Sequence, residues 1–319
     1  MRIVFMGSPE FAVPALRKLV ENGYEIVAVV TQPDKPAGRG RQMTRPAIKH
    51  AAQSLGLPVL QPASLKQLDI VQKLRSLRPD AIVVAAFGMF LPREILEIPP
   101  LKCLNIHPSL LPKYRGASPI AYAILDGCTE TGVSLTIMEQ RMDAGPILAQ
   151  RKMAVLPDDT EESLSARLAG MGADLLIETL PRWARGEIVP QPQDESQATF
   201  TKLIAREQGR IDWRQSADEI GRRCRAFHPW PGCYTYWDGK LLKLREVLPF
   251  PDWEGPAVPG QVIVLAELPP LGFDGKSSVA VATGKGALVL LKVQLEGRRE
   301  VPIPEFLRGQ RGFAEAMLV

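Results

Sequence analysis

Histidine and cysteine are scarce in this chain: three histidines and four cysteines in 319 residues. Cys103, Cys128, Cys224 and Cys233 have no CxxC spacing, and His50, His107 and His228 form no HExxH pattern. A zinc centre and a disulfide framework are therefore not expected, and the thiols read as reduced and structural. Long apolar runs are missing too. Stretches such as Ile82 to Ala86 end far short of the roughly 18 residues that a membrane span needs. Met1-Arg2-Ile3-Val4-Phe5 enters a strand-like run at once, with no charged leader before it, so the expectation is a cytoplasmic protein with no membrane partner. The first turn, Gly7-Ser8-Pro9, lacks the GxGxxG pattern that brings a backbone close to a pyrophosphate, which argues against a nicotinamide cofactor. No GxSxG elbow is present, so nothing points to a covalent acyl-enzyme.

What is present is an ordinary globular composition, 45% hydrophobic and 23% charged, in a chain long enough for two domains. The net charge of +4 is modest, but it is unevenly placed. Between Thr31 and His50, five cations (Lys35, Arg39, Arg41, Arg45 and Lys49) face the single carboxylate of Asp34. They sit around a loop of prolines and glycines longer than the usual βα connection of about 2–6 residues.

The periodicity predicts a strand at Arg2–Met6, a helix carrying Phe11, Ala15, Leu16 and Leu19, and a second buried strand at Glu25–Thr31. That is a βαβ opening and hence a parallel sheet. Further helices are expected at 46–55 and 65–77, with strands at 57–60, 81–86 and 101–106. Beyond a helix at 117–125, strands at 132–139 and 147–154 should form an antiparallel hairpin, and a long amphipathic helix at 163–183 follows. The fold class is α/β: a Rossmann-like, mostly parallel sheet domain over 1–190, then a linker at 191–205. The linker reading rests on Gln191-Pro192-Gln193-Asp194-Glu195-Ser196-Gln197-Ala198, which is polar and without apolar periodicity. Over 206–319 a short helix at 216–226 precedes strands at 234–237, 241–247, 260–265, 278–282 and 287–293. Asp-Gly, Pro-Gly and Gly-Lys-Gly turns separate them, which suggests a small OB-like β-barrel.

One stretch invites chemistry: Asn105-Ile106-His107-Pro108-Ser109-Leu110-Leu111-Pro112-Lys113-Tyr114-Arg115-Gly116. At a strand end, residues two apart share a face, so Asn105 and His107 would point the same way. An amide N–H and an imidazolium aimed at one point can hold a carbonyl oxygen as it becomes an oxyanion. A turn in which Asn and Pro serve only the backbone is the other reading of the same residues. The loops after Ala86, Ile106 and Glu139 should gather at the C-terminal edge of the sheet, which would bring Asp143 to the pair. A carboxylate beside an imidazole favours its charged form, the better donor to a developing negative charge. Asp143 taken alone also reads as a residue capping the Gly145-Pro146 turn. With no nucleophile evident, direct acyl transfer to a good acceptor such as an amine is favoured.

The stretch 105–116, with Gly132-Val133-Ser134-Leu135-Thr136 and Asp143-Ala144-Gly145, resembles the folate-dependent formyltransferase family. Phe5-Met6-Gly7-Ser8-Pro9-Glu10-Phe11-Ala12, Ile211-Asp212-Trp213 and Arg225-Ala226-Phe227-His228-Pro229-Trp230-Pro231-Gly232 extend the likeness along both domains. The resemblance implies transfer of a formyl group from 10-formyltetrahydrofolate to the free amine of methionine on initiator tRNA, with no metal. It implies a catalytic set of Asn105, His107 and Asp143. It also implies a folate site bordered by Ser109, Leu110, Leu111 and Pro112 and by the loop Phe87, Gly88, Met89, Phe90 and Leu91. Lys35, Arg39, Arg41 and Arg45 would meet tRNA phosphates, and Arg206, Arg222 and Arg223 would continue the basic track in the second domain. A monomer is expected if one tRNA reaches both domains. Two rival readings remain: a nucleotide-sugar amine formyltransferase, similar in its first domain, and a catalytically inactive RNA-binding protein.

Overall fold

The computed structural model of the chain describes residues 1–37, 42–265 and 279–319. The chain divides into two compact units, the first comprising Met1–Pro119, Thr129–Val155 and Ser163–Lys202 and the second Ile120–Cys128, Leu156–Glu162 and Leu203–Val319.

In chain order the first part runs β1 (Arg2–Gly7), α1 (Val13–Glu21), β2 (Glu25–Val30), β3 (Lys35–Ala37), β4 (Gln42–Thr44), α2 (Ala47–Ser54), β5 (Val59–Leu60), α3 (Leu68–Ser76) and β6 (Ala81–Ala85). Then come α4 (Arg93–Leu96), β7 (Cys103–His107), β8 (Arg115–Gly116), α5 (Pro119–Leu125), β9 (Glu130–Ile137), β10 (Ile147–Ala154) and α6 (Glu161–Ala184). Seven strands form one sheet in the order β10-β9-β7-β6-β1-β2-β5. Its centre is parallel, and β6 and β1 from Ile3 onward are apolar because both faces are covered. Val4, Met6, Ile82, Val84 and Cys103 pack on one side with Ile70, Val71 and Leu74 of α3.

β9 runs antiparallel to both β7 and β10. The expected hairpin is present, but its loop leaves β9 beside Leu104, at the edge opposite the one where β7 ends. On β7 the side chains alternate. Ile106 packs against α6 at Gly172, where a Cβ would fall 2.7 Å from the Ile106 Cγ2. Asn105 and His107 therefore project from the other face.

The basic loop after β2 is a hairpin: β3 and β4 pair antiparallel, with Lys35 opposite Thr44. The segment 191–205, read from sequence as a linker, is for the most part docked within the first unit. Gln191 and Ile147 exchange two backbone hydrogen bonds of 2.8 Å, and β11 (Phe200–Thr201) pairs in parallel with β8. The last crossing of the chain from the first unit to the second falls after Lys202. Hydrogen bonds from amide side chains and short backbone bridges tie the segment down, and these leave no apolar periodicity to read.

The second unit is built around a curled antiparallel sheet. After α7 (Ala217–Ala226) come β12 (Cys233–Trp237), β13 (Lys240–Phe250), β14 (Val262–Val264), β15 (Val279–Ala282), β16 (Ala287–Leu295), β17 (Val301–Pro302) and α8 (Ile303–Gly309). The strand order is β12-β13-β16-β15-β14, with β17 on β16. Asp238 and Gly239, at φ of 50° and 70°, make the tight β12–β13 turn, a conformation that glycine and aspartate tolerate. Residues 316–319 bridge the two outer strands. The Val262 N–H donates to Ala316 O at 2.8 Å, the Leu318 N–H to Gly260 O at 2.8 Å and the Tyr236 N–H to Val319 O at 2.8 Å, so the sheet closes on itself. Trp237, Phe306 and Phe313 stack edge to face beside it, with centroids 5.0 to 5.9 Å apart. α7 begins with a capping box: the Ser216 N–H donates to the Glu219 carboxylate at 2.8 Å, and the Glu219 N–H donates back to Ser216 Oγ at 3.3 Å.

Candidate active site

Asn105, His107 and Asp143 meet, although not by the expected route. Because β9 is antiparallel, the loop carrying Asp143 starts at the far edge and folds back over the face of β7 that bears the other two. Asn105 Nδ2 donates to Asp143 Oδ1 at 3.4 Å, and His107 Nδ1 lies 3.7 Å from the same oxygen. The Gly116 N–H donates to Asp143 Oδ2 at 2.9 Å. Asp143 itself has φ of +49°, left-handed backbone that costs about 1–3 kcal/mol for a residue with a Cβ. Just beyond it, Gly145 lies so close to Ile137 O that no side chain fits.

His107 is buried, and its Nε2 sits 3.0 Å from Tyr114 O. A carbonyl oxygen can only accept, so Nε2 carries a proton and Nδ1 is the nitrogen turned towards Asp143. Asn105 has a second amide N–H beyond the one given to Asp143. The cluster thus offers an amide donor, an imidazole with one fixed proton and a carboxylate with fixed lone pairs. That combination can polarise a carbonyl oxygen and relay a proton from an amine.

Ser109 is fully buried. Its Oγ donates to Lys113 O at 2.6 Å, and its carbonyl accepts from Ser134 Oγ at 2.6 Å. Ser134 Oγ also accepts from the Leu111 N–H at 3.0 Å and from Gln150 Nε2 at 2.8 Å. The side chain of Ser109 thus braces the loop through Lys113 O. Leu111 is buried as well, while Leu110 and Pro112 stay partly accessible. In the loop after β6, Phe87 and Leu91 belong to the apolar core, so of the five residues expected there Gly88, Met89 and Phe90 remain outside it or only partly covered. Phe90 is 61% exposed. Phe87 O is pinned by Ser8 Oγ at 3.1 Å and Gln32 Nε2 at 3.0 Å. β6 and β7 are parallel neighbours, so this loop and the 108–112 segment leave the same edge side by side.

Of the expected phosphate contacts, Lys35 donates to Gln32 Oε1 at 2.7 Å and Arg45 is exposed, while Arg39 and Arg41 lie outside the described residues. In the second unit Arg206 is exposed, Arg222 Nε donates to Leu125 O at 3.1 Å, and Arg223 Nη1 donates to Gln208 O at 3.1 Å. No group of three or more metal-ligating side chains occurs among the described residues, and no described helix is long and apolar enough to cross a membrane.

Sequence reasoning missed Ser134, Tyr114 and Gln193. Ser134 carried a signal, as a polar residue in the middle of a buried strand. Gln193 carried none: its Nε2 donates to Asp143 O at 2.8 Å and to Gly145 O at 2.7 Å from within the presumed linker.

Residues 1–180 match the family described as formyl transferase, and residues 203–311 match the formyl transferase C-terminal domain. A methionyl-tRNA formyltransferase of Roseiflexus castenholzii is 50% identical over 312 residues, covering 98% of this chain and 96% of its own. One from Myxococcus xanthus is 46% identical, covering 97% and 95%. Among solved structures, the N-formyltransferase of Helicobacter canadensis in complex with folinic acid and dTDP-3-aminofucose aligns with a TM-score of 0.64 at 17% identity, covering 90% of this chain and 98% of that one. HypX of Aquifex aeolicus in complex with tetrahydrofolic acid gives 0.64 at 21% identity, covering 96% and 47%. At those identities the two structures speak to the fold.

Proposed function

The chain belongs to the formyl transferase family, and from that premise we propose that it moves a formyl group from 10-formyltetrahydrofolate to the free amine of methionyl initiator tRNA. The observation that carries this reading is the 50% identity to a methionyl-tRNA formyltransferase over 98% of the chain, both units included. The residues suit a folate. Met89, Phe90, Leu110 and Pro112 offer apolar surface at the sheet edge. The Gly88 backbone, at φ of +73°, approaches Gln32 so closely that a Cβ there would lie 2.5 Å from its Nε2.

The folate supplies the formyl carbon. The methionyl amine attacks that carbon; the new C–N bond forms, the bond to the folate nitrogen breaks, and the amine proton passes to the leaving nitrogen. Asn105, through its second N–H, and His107, through Nδ1, stabilise the carbonyl oxygen as it gains charge. With Nδ1 as well as Nε2 protonated, His107 donates to that oxygen, and Asp143 accepts the amine proton, directly or through water. Tyr114 O and the Gly116 N–H fix the orientations of His107 and Asp143. Lys35, Arg39, Arg41 and Arg45 contact tRNA phosphates, and Arg206, Arg222 and Arg223 add to that charge in the second unit.

Incubating the purified protein with labelled formyl donor and either charged initiator methionyl-tRNA or a nucleotide-linked amino sugar tests this reading. Label should appear in the tRNA alone. Label in the sugar alone would move the protein to the sugar branch, and label in neither would leave it without this activity.

A further inference from the structure

Arg115 is the largest fully buried side chain among the described residues, and formyl transfer as described above gives it nothing to do. A guanidinium out of water is costly unless its donors are satisfied. Here Nε and Nη2 donate to Gln193 Oε1 at 3.0 and 2.8 Å, while Nη1 and Nη2 donate to the Glu195 carboxylate at 3.2 and 2.9 Å. Glu195 also accepts from Arg141 Nη2 at 2.7 Å, on the loop that leads to Asp143. Gln193, held by Arg115 through its oxygen, uses its nitrogen to bind the carbonyls of Asp143 and Gly145. A few residues on, Thr199 Oγ1 accepts from the Tyr114 N–H at 2.8 Å, and Thr199 O accepts from the Arg115 N–H at 2.9 Å.

We infer that residues 191–201 form a positioning strap for the reaction, fastened to the buried Arg115. Gln193 sets the backbone of Asp143 and Thr199 sets the backbone of Tyr114, whose carbonyl orients His107. The loop the strap holds needs such support. Met142 is 68% exposed, Arg141 is exposed, and Asp143 sits in left-handed backbone, so the loop's side chains add little to the contacts that the Gly116 N–H and Asn105 make with the carboxylate. A displacement of about 1 Å at a reacting group costs on the order of a hundredfold in rate. The role is one of positioning, since neither Gln193 nor Thr199 touches the proposed reacting atoms.

The inference rests on the trio proposed above, so Asp143→Asn serves as its control in the same steady-state assay. Gln193→Glu keeps the acceptor for Arg115 and replaces the donor to Asp143 O and Gly145 O with a repelling oxygen. Its kcat should fall by about tenfold or more, with KM for both substrates within about twofold and Tm within a few degrees of the parent. Thr199→Val removes the acceptor for the Tyr114 N–H and should lower kcat severalfold, while Thr199→Ser restores it. A folded Gln193→Glu protein with kcat within twofold of the parent overturns the strap, provided Asp143→Asn is inactive; if Asp143→Asn is active, the trio itself fails. Should Gln193→Glu not fold, the Thr199 pair decides: equal kcat for the Val and Ser variants overturns the inference, and loss with Val but not Ser supports it.

Discussion

Two arginines of the first unit are put to opposite uses. Arg115 is buried in a lattice of amide and carboxylate acceptors, whereas Arg45, at the end of the β3–β4 hairpin, is exposed. The same guanidinium serves as internal scaffold in one place and as surface charge in the other. Chemistry at a carbonyl needs groups fixed to a fraction of an ångström, so the residues around Asp143 have their polar atoms engaged. Phosphate recognition tolerates looseness, because Coulombic attraction falls off gradually with distance and charges contribute from several positions. Rigid surroundings should therefore show their importance in kcat, and exposed cations in KM.

The largest effect that separates the two regions is expected at Asp143. Asp143→Asn keeps an oxygen for the Gly116 N–H but loses the negative charge, and kcat should drop by about 10²–10⁴-fold. Affinity for tRNA, measured by filter binding, should stay within about twofold. Near-normal turnover would remove Asp143 from the mechanism and dissolve the contrast.

Next in size is Gly116, which belongs to the rigid region by its backbone alone. Its φ of +110° and the 2.5 Å separation that a Cβ would have from Thr201 O leave no room for alanine. Gly116→Ala should cost about 2–3 kcal/mol in denaturant unfolding, with an unchanged m-value. Unaltered stability would mean that β8 and β11 do not clasp as described.

The hairpin side of the comparison predicts smaller changes. Neutralising Lys35 and Arg45 together should raise KM for tRNA about fivefold and leave kcat alone, and the slope of log affinity against log salt should flatten by about one per cation removed. Arg39 and Arg41, named from sequence, lie outside the described residues, and the same assay applies to them. A fall in kcat with constant KM would place the hairpin with the scaffold.

The contrast also explains what could be read from the residues. Buried strands such as Ile3–Met6 and Ala81–Ala85 announce themselves by continuous apolar sequence, and Asn105 and His107 by their spacing of two. The alternation in Lys240–Phe250 and the Asp238-Gly239 turn are equally visible. Apart from the family resemblance, Asp143 was reachable only through an expected gathering of loops at one sheet edge. The strand direction of β9 makes that geometry wrong even though the three residues do meet. The docked strap was invisible because Gln191 to Thr201 adheres through side-chain amides and isolated backbone bonds, which leave a sequence resembling a free tether. Ser109, named through the family resemblance as bordering the folate, also spends its hydroxyl on Lys113 O, a loop contact that no spacing in the sequence announces.

The smallest expected effect concerns the fastening of the strap. Hydrogen bonds from Arg115, and after them from Arg141, pull the Glu195 carboxyl down to about 2. Unfolded, a glutamate titrates near 4.3. A carboxyl lowered on folding contributes stability that is fully present above the unfolded value and is lost as pH falls through the folded one. The side chain is 51% exposed, so solvent screens much of the interaction and the contribution is modest. Glu195→Gln should therefore lower Tm slightly between about pH 5 and 7, and the two proteins should converge as the pH is taken from about 4.5 towards 2. Arg45→Ala, which touches no such lattice, should track the parent at every pH. A Tm gap for Glu195→Gln that persists undiminished at pH 2 would show that Glu195 holds the strap by shape instead of charge. No gap at pH 7 would show that Gln193 alone couples Arg115 to the Asp143 loop.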